Sequence, residues 1–324
     1  MLGIYYYAGC QTTPNPAKIP TGITKANAIF ISFVTKAFNN SDQQRWMASV
    51  ADALRQKDEN IYLAYSVGGQ EGTCSCDLFK YLSETSVTDI VKTILSWPVD
   101  GIDWDLEPQS ICKSIFPRGP YPQIKKYCYG YAETGELFRD KLVKISLGVK
   151  AGGMHVTMAG FGSWFTEKIN VDVAWGGTGS AFLYNSFIKS GALEKFGVML
   201  YPPGPNTDPT CDPSDSECYT RWLSPSGDWR QGCNLEECCP NKTTLPCGGV
   251  TDLKQLAGGI SGNANINQAT IIANNYKNVG VTSVIVWVAM PNGTSECTSG
   301  DAMDNDTISQ WCNKVSTELG IKNK

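Results

Sequence analysis

Histidine is nearly absent: His155 is the single one in 324 residues. A metal site built from several imidazoles is excluded, and a Ser-His-Asp triad could form only around that one position. His155 lies in an apolar, strand-like run, which reads as a structural place. Long basic runs are missing too, and the formal net charge is −4. Neither nucleic acid nor an anionic membrane surface is an expected partner, and a neutral substrate suits this balance. No segment reaches the ~18 continuous apolar residues of a membrane span. The cysteines lack the paired CxxC spacing of a zinc ribbon, and the EF-hand loop pattern is absent. Neither a metal nor another cofactor is expected. No leader pattern precedes Met1-Leu2-Gly3-Ile4-Tyr5, which already reads as a strand; the expectation is a mature chain numbered after a leader was removed.

What is present begins with cysteine. Thirteen cysteines are too many for an ordinary reduced cytosolic protein, and disulfides in an oxidising compartment are the expected use. The odd count leaves at least one thiol free or paired to another chain, which keeps self-association open. Four sequons, at Asn39, Asn241, Asn292 and Asn305, agree with a secreted, extracellular chain.

Apolar residues make up 42% of the chain, enough for a substantial core. They recur as eight short runs, at 2–8, 28–34, 60–67, 99–106, 154–159, 196–201, 256–261 and 282–289. Helical patterns lie between them, at 42–57, 79–97, 132–146, 180–190, 266–278 and 305–319. In the first, Trp46, Val50, Ala53 and Leu54 recur at three- and four-residue steps and make one apolar face. Strands alternating with helices pair in parallel, and eight such units close into a (β/α)8 TIM barrel of the α/β class. A single catalytic domain over 1–324 is expected. The stretch 202–255 departs from the pattern, being rich in Pro, Gly and polar residues and holding six of the cysteines. It reads as a disulfide-rich insertion, at about 204–252, after the sixth strand. A smaller loop at 108–130 holds Cys112 and Cys128.

The fourth run carries the chemistry. It reads Val99-Asp100-Gly101-Ile102-Asp103-Trp104-Asp105-Leu106-Glu107. Strand side chains alternate faces, so Asp103, Asp105 and Glu107 share one, and Ile102, Trp104 and Leu106 share the other. In a barrel the apolar set packs outward against helices, and the acids point toward the axis. Glu107 comes last, at the carboxyl end of the strand, where such barrels hold catalytic groups. Same-face neighbours are ~7 Å apart along a strand. Three acids so close cannot all be ionised in a half-buried site, so one keeps a proton and can serve as a general acid. Two blander readings compete. A solvated edge strand is not available in a closed parallel barrel. A calcium site would use the same oxygens, without the EF-hand pattern. Asp100 has the wrong parity for the inward face and reads as a residue that pins backbone.

These residues resemble the glycoside hydrolase family 18 signature, DGxDxDxE, which stands complete as Asp100, Gly101, Asp103, Asp105 and Glu107. The third-strand signature SxGG stands as Ser66-Val67-Gly68-Gly69. The sixth run ends Met199-Leu200-Tyr201 and is followed by Pro202, a proline where the family often has an acid, and Trp287 fits the tryptophan of the eighth strand. The resemblance implies a chitinase-type enzyme acting on N-acetylglucosamine polymers. It implies that Glu107 protonates the glycosidic oxygen, Asp105 holds the acetamido N–H, Asp103 shares a proton with Asp105, and Tyr201 donates to the acetamido oxygen. Trp287 would floor the sugar site and Met199 would wall it. Ser66, Gly68 and Gly69 would be architectural, the glycines allowing close packing near Asp103. Trp222 and Trp229 read either as added sugar platforms or as the small core of the insertion. Two alternatives stay open: a chitinase-like lectin or structural, self-assembling protein on the same barrel, and an endo-β-N-acetylglucosaminidase acting on the N-glycan core.

Overall fold

The computed structural model describes residues 1–7, 19, 21–69, 77–105, 138–161, 187–199, 216–218, 252–261, 265–289 and 305–321. Eight parallel strands form a closed barrel in sequence order. They are β1 (Leu2–Tyr7), β2 (Ala28–Val34), β3 (Tyr62–Gly68), β4 (Gly101–Asp105), β5 (His155–Phe161), β6 (Lys195–Met199), β7 (Leu256–Ser261) and β8 (Val284–Ala289). Each of the eight apolar runs contributes one strand. The described helices are α1 (Ser41–Arg55), α2 (Asp77–Glu84), α3 (Val87–Leu95), α4 (Phe138–Ala151), α5 (Ile266–Asn278) and α6 (Asn305–Leu319). None of the described helices is long and apolar enough to cross a membrane.

Two helices differ from their sequence patterns for local reasons. The pattern at 79–97 is two helices, α2 and α3. Ser86 breaks it: its hydroxyl accepts from the Asp89 N–H at 3.1 Å and donates to the Asp89 carboxylate at 2.6 Å. A serine making those bonds starts a helix more readily than it continues one. The helix expected at 132–146 runs instead through Ala151. Gly148, a weak helix former, sits inside it because a Cβ there would meet Val91 of α3 at 2.8 Å. Close approach of α4 to α3 outweighs propensity at that position. The run at 180–190 is described only from Phe187, and the insertion only at 216–218, where Cys218 is disulfide-bonded, and from Asp252.

Strand parity sorts the core into two clusters. Ile102, Trp104, Leu63, Tyr65, Val67, Val156 and Met158 point outward into the layer shared with the helices. Trp104 is fully buried there, and its indole N–H donates to the Ser146 hydroxyl of α4 at 2.9 Å. Tyr5, Ala28, Phe30, Ala64, Ala159, Ala257 and Ile285 fill the barrel's interior. Eight strands leave an interior just wide enough for side chains. Four alanines beside the stacked Tyr5 and Phe30 rings, 5.0 Å apart, satisfy that limit.

Pairing is irregular at two seams: between β2 and β3, where Ser32 faces Ser66 but Val34 faces Val67, and between β8 and β1. Ile4 of β1 faces Val286 of β8, but Tyr6 faces Ala289. Trp287 and Val288 therefore oppose Tyr5 alone, a bulge at the carboxyl rim of the barrel. Bulges gather at barrel rims and beside active sites, where they re-aim a strand.

Candidate active site

Asp103 is the centre of the described site. It faces the barrel interior and is wholly buried. Three hydroxyls from three other strands reach it. Tyr5 of β1 donates to its Oδ2 at 2.8 Å and Ser66 of β3 to the same oxygen at 3.0 Å. Thr157 of β5 donates to Oδ1 at 2.6 Å. Ser66 and Thr157 are the register partners of Asp103 on the neighbouring strands, while Tyr5 reaches across the interior. Burial raises the carboxyl above the usual carboxylate range, and the hydroxyls of Thr157, Tyr5 and Ser66 pull it back only in part.

Asp105 is the next residue on the same face, buried, at the carboxyl end of β4 and opposite Gly68. Glu107 and Tyr201 lie outside the described residues, as do Pro202, Trp222 and Trp229. Met199 is the last residue of β6 and Trp287 lies two residues before the end of β8, both toward the carboxyl rim at which Asp105 ends β4.

The remaining motif residues hold backbone. Asp100 lies at the opposite end of β4. Its Oδ2 accepts from the Leu63 N–H at 2.8 Å and from Arg55 at 2.6 Å, at the end of α1. Its own N–H donates to Leu63 and its carbonyl accepts from His155. One aspartate thus ties β3, β5 and α1 to the start of β4. Gly101 has no room for a side chain: a Cβ would lie 2.2 Å from the Tyr62 hydroxyl and 2.6 Å from the His155 carbonyl oxygen. Gly69 takes φ +65°, which L side chains avoid, and lies against the Phe33 ring, 2.7 Å from where a Cβ would stand. Gly68 also has positive φ, at 120°. Ser66, an architectural residue by resemblance, is a donor to Asp103.

Behind the site, at the amino end of the strands, a cavity of about 200 Å³ is lined by Phe30, Tyr62, His155, Thr157, Glu194 and Lys195, among others. His155 Nδ1 lies 2.6 Å from the Glu194 carboxylate, and its ring meets Tyr62 edge-on. The Tyr62 hydroxyl is buried with no hydrogen-bond partner among the described residues. Among those residues no group of three or more His, Cys, Asp or Glu is placed to hold a metal ion.

Tyr5 and Thr157 were not singled out from sequence. Parity alone would have marked them as inward on their strands. That both reach Asp103 depends on inter-strand register and barrel width, which single-strand periodicity does not contain.

No protein-family model and no curated protein matches the chain. Solved structures do. A chitinase-like agglutinin from Robinia pseudoacacia is 13% identical over 95% of this chain and 99% of its own, with a TM-score of 0.51. A chitinase from Bacteroides thetaiotaomicron is 11% identical over 98% of this chain and 96% of its own, with a TM-score of 0.50. The group II chitinase catalytic domain 2 of Ostrinia furnacalis is 14% identical over 80% of this chain, which spans 63% of its length, with a TM-score of 0.43. At such identities the likeness is one of fold: this chain has a (β/α)8 barrel of the form found in the Bacteroides chitinase and the Robinia agglutinin.

Proposed function

We propose that this protein is a secreted glycoside hydrolase that cleaves β-1,4-linked N-acetylglucosamine, in chitin or chitooligosaccharides, with retention and with help from the substrate's own acetamido group. The observation that carries this reading is the buried Asp103, held by three hydroxyls and followed on the same inward face by Asp105. A carboxyl in that setting holds a proton readily and can take the one it shares with a neighbour. Asp105, freed of it, accepts the acetamido N–H and steadies the cation that forms when the acetamido oxygen attacks the anomeric carbon. Glu107, next on the same face by parity, protonates the leaving oxygen and later activates water. No second carboxylate serves as nucleophile, unlike the ordinary retaining pair. Tyr201 donates to the acetamido oxygen, Trp287 floors the sugar and Met199 walls it. Apolar stacking with a few polar contacts suits a neutral sugar.

The barrel alone does not choose between turnover and binding, since a chitinase and a chitinase-like agglutinin both have it. Glu107 favours turnover, because a protein that only binds sugar has no use for a general acid. Secretion is supported by the cysteine count and the sequons.

The deciding experiment offers chitin oligosaccharides and a high-mannose glycoprotein side by side. Release of β-anomeric products from the oligosaccharides is expected, with the glycoprotein left intact. Glu107→Gln is expected to lose roughly 10²–10⁴ in rate, the usual share of a general acid. Cleavage of the glycoprotein instead would move the substrate to the N-glycan core. A folded protein that turns over neither would leave the binding reading, and full activity in Glu107→Gln would remove that residue from its role.

A further inference from the structure

The two oxygens of Asp103 are held differently. Oδ2 already receives two donors, Tyr5 and Ser66. Among the described residues Oδ1 receives Thr157 alone, at 2.6 Å. The Thr157 hydroxyl has a second acceptor within reach, the Ile102 carbonyl oxygen at 3.5 Å. A hydroxyl carries one donor and two acceptor lone pairs. When Asp103 is ionised, Thr157 donates to Oδ1. When Asp103 carries a proton on Oδ1, Thr157 can accept it and turn its own hydrogen to Ile102. The ionised state is met by a short bond, and the protonated state leaves the Thr157 hydrogen a long, weaker acceptor in the Ile102 carbonyl, so neither strands a buried donor outright. Thr157 also has a second exposure: it is buried yet lines the cavity at the amino end of the barrel. It therefore stands between the carboxyl and the face of the barrel opposite the sugar rim.

We propose that Thr157 is the positioning residue that lets Asp103 take up and release its proton on Oδ1 inside a closed core. The proposal deepens the hydrolase reading, in which Asp103 trades a proton with Asp105. Other ionisable groups around this carboxyl are Asp105 on its own strand, Tyr5 on β1 and Tyr62 on β3. His155 on β5, with Glu194 and Lys195 at β6, faces it from the cavity side.

The test reads the proton directly, in the ligand-free protein. Infrared titration follows the protonated-carboxyl band that Asp103→Asn removes. Thr157→Val keeps shape and strand preference but loses the donor to the ionised form. The band is expected to persist to higher pH, by about one unit, the worth of one hydrogen bond to a charged group. Thr157→Ser, which keeps the hydroxyl, is expected to titrate as the native protein does. If the valine variant does not fold, Thr157→Cys takes its place, with a smaller shift in the same direction. In the active enzyme the limb of the pH–kcat profile that reports Asp103 moves with the band, and KM does not. An unshifted band in the folded valine or cysteine variant overturns the proposal. So does a serine variant that shifts as far as valine, or the absence of any titrating band that Asp103→Asn removes. A protein that shifts the band but hydrolyses no chitin oligosaccharide leaves Thr157 in its role and sinks the hydrolase reading instead.

Discussion

Gly101 shows how little tolerance the acidic strand has at single positions. The residue is on the inward face of β4, two before Asp103, and the space its side chain would take is already filled by Tyr62 and by the backbone of β5. A tyrosine tip can swing aside; a strand carbonyl held in the barrel cannot. Gly101→Ala is therefore expected to cost about 1–3 kcal/mol, as overpacking of a well-filled core does. Tyr62→Phe in the same background should recover only part of it, because the clash with the His155 carbonyl remains. Chemical denaturation of the single and double variants measures both. An unchanged midpoint for Gly101→Ala would mean that the strand relaxes where the packing says it cannot. Sequence marked this glycine through its motif and Asp100 through its parity, since both signals lie within one strand. The crowding by Tyr62 was not legible, because Tyr62 is distant in sequence and meets Gly101 only through register.

At the scale of elements, short apolar runs located all eight strands, and the apolar stripe of α5 gave its bounds as they stand in the fold. A buried strand has no freedom to hide its period. Helices were read less well where a local hydrogen bond competes with the pattern, as at Ser86, or where one helix needs another's surface, as at Gly148. Tyr5 and Thr157 escaped for a third reason: their partner is on a different strand. The contact of β4 with α4 is the best place to measure what such inter-element bonds contribute. The Trp104 indole donates to Ser146, whose hydroxyl in turn donates to the Leu142 carbonyl one turn back in α4. In Ser146→Ala the indole N–H is left buried without its acceptor. A loss of about 1–3 kcal/mol is expected, the penalty for one unmet buried donor. Trp104→Phe removes that donor at the cost of a cavity, so Ser146→Ala should cost less in the Trp104→Phe background than in the native one. A cycle with no coupling between the two positions would show that this bond does not tie the strand to the helix.

For the whole molecule, the closed barrel explains why an acidic strand can exist here at all. With no edge to expose, β4 can bury Asp103 only if other strands bring it donors, and three of them do. Closure was legible from the count of alternating units; the placement of the turn-rich segments that follow the strands was not, since such segments carry no period. The cysteines offer a global check on that remaining part. Thirteen cannot all pair within one chain. Cys312 of α6 is free, 1% exposed, and burial pushes its thiol up to about 12. If it is the odd one, twelve remain to pair, Cys218 among them. A protein made through an oxidising pathway should then show no thiol to a water-soluble reagent when native and one per chain when unfolded without reductant. Cys312→Ala should show none in either state and remain a chain of single mass on non-reducing gels. Because the native thiol holds its proton to higher pH than an unfolded one, it contributes stability that is complete below about pH 8.5, the unfolded value, and fades as pH rises toward 12. Reactivity should therefore follow unfolding, not thiol ionisation alone. Several thiols in the unfolded chain, or a disulfide-linked dimer that survives Cys312→Ala, would count against both the secreted reading and the assignment of Cys312 as the unpaired residue.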